Sequence, residues 1–115
     1  MGYRSDVAIA VGKYKIAEFE KMYEKECFFP VIKKYENYNV YYWESVKWYL
    51  DYSVIKEIMT FLEQLDWDYE NKIFPEELWI NNHYGFMRVG EETEDIEMLG
   101  EPYEYNMYIN RSIEF

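Results

Sequence analysis

Residues that carry chemistry are scarce in this sequence. There is one cysteine, Cys27, so no disulfide can close within the chain. There is one histidine, His83, and no Gly-rich phosphate loop, no CxxC, no HExxH and no nucleophile elbow. No apolar run approaches the ~20 residues a membrane-crossing helix needs, and no leader-like segment opens the chain. These absences lead us to expect a cytoplasmic protein without a membrane anchor, and they call for no cofactor. Met1-Gly2-Tyr3-Arg4-Ser5-Asp6 has the outline of a myristoylation start but places Asp6 where Ser or Thr is required.

Arginine is also rare: three of the 12 basic residues, Arg4, Arg88 and Arg111, all in or beside predicted strands. Carboxylates are abundant. The formal net charge is −11, and it is uneven: residues 1–35 hold seven Lys or Arg against five acids, whereas residues 36–115 hold five against 18. Binding a phosphate backbone requires clustered Lys and Arg, so direct nucleic-acid binding is not expected. A basic protein partner would be attracted instead, with faster encounter at low salt. Aromatic residues make up 22% of the chain, 14 of them Tyr, which suits a ring-built core and a surface apt for protein contact.

At 115 residues the chain is read as one domain able to bury a core unaided. Val7 to Val11 is an apolar run with Ala8 and Ala10 between larger residues, which suits a central strand buried on both faces. Ile16, Phe19, Tyr23 and Cys27 share one face of a predicted helix over 15–28, ended by Pro30, with Cys27 as a small buried apolar residue. Val40 to Trp43 reads as a strand rich in rings. Ile55, Ile58, Leu62 and Leu65 recur at helical spacing, with Ser53 or Asp51 as N-cap, and 66–77 reads as a loop.

Leu78 to Ile80 and Tyr84 to Val89 are strand-like, with Asn81-Asn82 as a turn between them. From Tyr103 to Phe115 apolar and polar residues alternate, the pattern of one strand wet on one face. The expected class is α+β: a mainly antiparallel sheet of about five strands with two helices on one face, a ferredoxin-like variant being the nearest arrangement.

Two residue sets are candidate sites. Glu91, Glu92, Glu94, Asp95 and Glu97 place five carboxylates in seven residues. They read as a solvated acidic turn, as negative charge presented to a nucleic-acid-binding protein, or as oxygen ligands for a hard cation, though the ligand spacing and central glycine of an EF-hand loop are missing. Arg4, Arg88 and Arg111 form the second set. Arg111 stands at an inward-facing position of the last predicted strand, and a buried guanidinium needs a partner, from Asp6 or the 91–97 connector. The alternative is an anion pocket in which Arg88 and Arg111 grip a phosphate or carboxylate beside Tyr and Trp rings. His83 at a turn reads as a surface or tyrosine-contacting residue rather than a general base.

Gly2-Tyr3-Arg4-Ser5-Asp6-Val7, Arg88-Val89-Gly90-Glu91 with Asp95-Ile96-Glu97, Arg111-Ser112-Ile113-Glu114 and the Trp48-Tyr49 region together resemble small uncharacterised proteins of bacteriophages, prophages and related mobile elements. That resemblance spans nearly the whole chain and transfers no role to any residue. It implies a context: small acidic accessory proteins of this kind often act against host defence, by binding a CRISPR effector or another immune protein, or by sequestering a signalling nucleotide. The expectation is therefore a non-enzymatic, anti-CRISPR-like inhibitor acting through an acidic, aromatic-rich surface. A small-ligand binder using Arg and aromatic residues is the alternative, and an enzyme is third.

Overall fold

The computed structural model describes residues 2–92, 94–110 and 112–115, the Asn110 side chain excepted. Strand β1 (Ser5–Gly12) is followed by a 3-10 turn and helix α1 (Ile16–Glu24), then by strands β2 (Val31–Lys34) and β3 (Tyr38–Val46). Helix α2 (Ser53–Glu70) leads through a second 3-10 turn to the short helix α3 (Trp79–Asn82). Strands β4 (Tyr84–Gly90) and β5 (Ile96–Gly100), a 3-10 turn (Pro102–Tyr105) and the hairpin β6 (Tyr108–Asn110) and β7 (Ser112–Glu114) complete the order.

The main sheet runs β2-β3-β1-β4-β5, antiparallel at every pairing, so the α+β class expected from the pattern is the class observed. Read from β4 to β2, the βαββαβ connectivity and strand order are those of a ferredoxin-like unit, with β5 added at one edge. β1 is central because its side chains can be buried on both sides. Val7, Ile9 and Val11 pack with Phe19 and Tyr23 of α1 and Ile58, Leu62 and Leu65 of α2. Ala8 and Ala10 point the other way, into a second core with Val40, Met87, Tyr105, Met107 and Ile113.

That second core corrects the expectation of a single terminal strand over 103–115. Pro102 sets the φ needed to start a helical turn, and Asn106, left-handed at φ 59, ends it. The alternation survives only in part. Tyr105, Met107 and Ile113 cap the sheet while Tyr103 and Tyr108 face solvent. A three-residue apolar run does not fix a period, and Leu78 to Ile80 is likewise helical rather than extended; Pro75 precedes the turn, and Asn82 Nδ2 donates to the Leu78 carbonyl at 3.0 Å.

Two further corrections concern the helices. α1 ends at Glu24, earlier than Pro30 requires: Cys27 takes a left-handed φ of 54 while Phe28 N donates to the Tyr23 carbonyl and Cys27 N to that of Glu24. This Schellman closure turns Cys27 outward, so it is exposed and not part of the core. α2 runs to Glu70, through residues expected to be loop, and its N-cap is Tyr52; the Ser53 hydroxyl bonds Glu26 instead. β2, which carried no strand signal, pairs with β3 from Val31↔Tyr42 to Lys34↔Asn39. Among the described residues no helix is long and apolar enough to cross a membrane.

Candidate partner-binding surface

The five carboxylates of the 91–97 segment divide into two groups. Glu91, Glu92 and Glu94 are exposed at the turn joining β4 to β5. Asp95 and Glu97 are committed to Arg88, which projects from β4 opposite them: Arg88 Nη2 lies 2.7 Å from Asp95 Oδ1, Nη1 3.1 Å from Oδ2, and Nε 3.1 Å from Glu97 Oε1. Arg88 Nη1 also donates to the Ser5 hydroxyl at 3.0 Å, and the Tyr3 hydroxyl donates to Asp95 at 2.6 Å. The hydrogen bonds from Arg88, then from Tyr3, hold the Asp95 carboxyl down to about 2. Its partner bond pushes the Tyr3 hydroxyl up.

Arg88 does sit beside rings, in a cleft of about 320 Å³ with Tyr3, Trp48 and Tyr49. Two carboxylates already occupy its guanidinium, so the cluster it forms with Asp95 and Glu97 carries net negative charge and repels an anion. Arg4 is exposed and donates to the Ser45 carbonyl at 3.0 Å. Asp6 accepts from Ser45 N at 2.8 Å, across the bulge where β1 meets β3. Arg111 lies outside the described residues. Among the described residues no group of three or more His, Cys, Asp or Glu is arranged to hold a metal ion.

One group of exposed rings lies apart from the acidic turn. β4 begins at Tyr84, whose hydroxyl donates to Asp66 of α2 at 2.7 Å, and ends at Gly90 before the acidic turn. Seven residues of strand span roughly 20 Å. That group is at the Tyr84 end. There Trp67 is 53% exposed, Tyr69 40%, Ile73 60% and Leu78 36%. Within the same stretch, 66–79, stand the carboxylates Asp66, Asp68, Glu70, Glu76 and Glu77 against the single cation Lys72. A groove of about 390 Å³ opens here, lined by Tyr69, Glu70, Lys72, Phe74, Glu76 and Trp79.

No protein-family model, curated protein or solved structure matches this chain.

The groove is built by the termination of α2. Asn71 ends the helix, its amide and side chain both donating to the Trp67 carbonyl, and Lys72 follows at φ 51 with its N–H on the Tyr69 carbonyl. No basic residue occupies the last turn, so the negative end of the helix dipole is uncompensated beside Glu70. Behind the groove, His83 is 2% exposed and stacks on Tyr69, with Trp79 edge-on to both rings. Burial pushes the His83 imidazole below its ordinary range, against the pull of Asp66, and its Nδ1 has no protein partner among the described residues.

Reading 66–77 as a loop hid this surface. Its usable signal was local: Trp67, Tyr69, Phe74 and Trp79 fall within 13 residues of a stretch otherwise rich in acids.

Proposed function

We propose that this chain is a non-enzymatic binding protein that occupies a basic, nucleic-acid-binding surface of another protein, in the manner of phage accessory proteins that inhibit host defence factors such as CRISPR nucleases. The coincidence of exposed rings with an excess of carboxylates over cations at the end of α2 carries this reading. Large apolar side chains exposed together, and rimmed by charge, mark interaction surfaces, and Trp and Tyr dominate the energetics of such contacts. Surrounding carboxylates steer a basic partner and discriminate against acidic ones. Glu91, Glu92 and Glu94, roughly one strand length away, extend the negative field to a second point of contact. The neutralisation of Arg88 by Asp95 and Glu97 weakens the competing reading of a nucleotide or anion sponge.

Affinity capture from a bacterial host lysate, with mass spectrometry of both the proteins and the small molecules retained, tests the proposal. The expected result is a nucleic-acid-binding protein released by salt. Retention of an anionic small molecule without any protein would overturn it.

A further inference from the structure

We infer that the groove at the end of α2 is a receptor for a guanidinium or ammonium side chain of the partner polypeptide, held over Tyr69, Phe74 and Trp79 between Glu70 and Glu76. The inference rests on the partner-binding reading above and gives its surface a specific anchor. Three independent features select a cation. The lining offers three rings, Tyr69, Phe74 and Trp79, of the kind whose quadrupoles attract cations, with Tyr69 and Trp79 at 6.1 Å between centroids and 71° between planes, so that they present differently oriented walls. Two carboxylates against one lysine leave that lining net negative. The carboxyl-terminal end of α2, with no basic residue in its last turn, adds the partial negative charge of the helix dipole.

The walls are fixed before any partner arrives. Tyr69 is clamped by its stack on His83, 4.5 Å between centroids and 18° between planes, and Trp79 is held edge-on to the buried Tyr105. A pre-formed slot loses less ordering entropy on binding than one assembled by the ligand. About 390 Å³ accommodates an arginine side chain together with the displaced Lys72 ammonium. Lys72 is the one element that opposes a cation, so its removal should improve binding.

The test is an NMR titration of the purified chain with Nα-acetyl-arginine methylamide, following the Trp79 indole and Tyr69 ring signals. Nα-acetyl-lysine methylamide, Nα-acetyl-citrulline methylamide and free arginine serve as comparisons. The expected result is saturable shifts of both signals with the two blocked cations and none with the neutral citrulline compound. Glu70→Gln with Glu76→Gln, both at exposed positions, should weaken binding roughly five-fold, and Lys72→Gln should strengthen it. Equal shifts with citrulline, or no shifts at Trp79 and Tyr69, would overturn the inference. Tighter binding of free arginine than of the blocked residue would overturn the polypeptide source, because a free carboxylate should be repelled here. The two readings fail separately. Arginine binding without any protein captured from lysate removes the functional proposal alone. A captured partner that ignores the Glu70 and Glu76 changes, with no titration shifts, removes the groove alone.

Discussion

His83 lies flat against Tyr69, their ring centroids 4.5 Å apart and their planes 18° from parallel, with the imidazole sealed inside and the phenol at the surface. The stack links the core to the proposed recognition groove, and it makes stability depend on pH. Burial lowers the folded-state pKa of His83, so the native state favours the neutral ring. Its contribution is present above the unfolded value of about 6.5 and is lost as pH falls below it. The urea midpoint of the wild type should therefore drop between pH 7 and pH 5. His83→Phe, which keeps a ring on Tyr69, should flatten that dependence; an equally steep profile in the variant would place the titration elsewhere.

Asp95 provides the opposite window. Its pKa is about 2 in the folded chain against an ordinary value of 3.8, so the Arg88 pair stabilises above about pH 4 and is lost as pH falls toward 2. Carboxyl carbon NMR should show a midpoint near 2 for Asp95, moving up toward 3.8 in Arg88→Gln. An unmoved midpoint would mean that Arg88 is not the controlling partner.

Leu62→Ala should cost about 2–5 kcal/mol, because Leu62 is buried in the core between α2 and the sheet and leaves a cavity. The adjacent exposed Glu63→Ala should stay within about 0.5 kcal/mol. Comparable urea midpoints for the two variants would contradict the register of α2.

Tyr105→Ala tests the cover on the second sheet face. Tyr105 is fully buried over that face and donates to the Ile80 carbonyl at 2.9 Å, so its loss should cost about 3–5 kcal/mol. Near-neutral stability would show that the carboxyl-terminal hairpin packs only loosely.

Much of the sheet was legible because burial on both faces leaves a direct trace: β1 has to alternate large and small apolar residues, and it does. α2 was legible in register, since Ile55, Ile58, Leu62 and Leu65 are its buried residues. Its length was not, because 66–70 has little apolar content beyond exposed rings and helical period fades where no face is buried. The closing segment misled for a different reason. Tyr105, Met107 and Ile113 share parity although a 3-10 turn and a left-handed Asn106 separate them, and alternation cannot report a backbone that changes type midway. The rule that a buried guanidinium needs carboxylates points in the sequence to Arg111, which lies outside the described residues, whereas the pairing seen with acids of the 91–97 connector is that of Arg88. The groove depends on where α2 stops and on which residues stack behind it, and neither is encoded in a local pattern.

The most direct measurement of the central claim is the association rate with the captured partner at low and high salt, for the wild type, for Glu70→Gln with Glu76→Gln, and for Glu91→Gln with Glu92→Gln and Glu94→Gln. The account predicts an association rate that falls steeply as salt rises, slower association in both variant sets, and faster dissociation only in the groove pair. Association indifferent to salt and to both sets of carboxylates would contradict it.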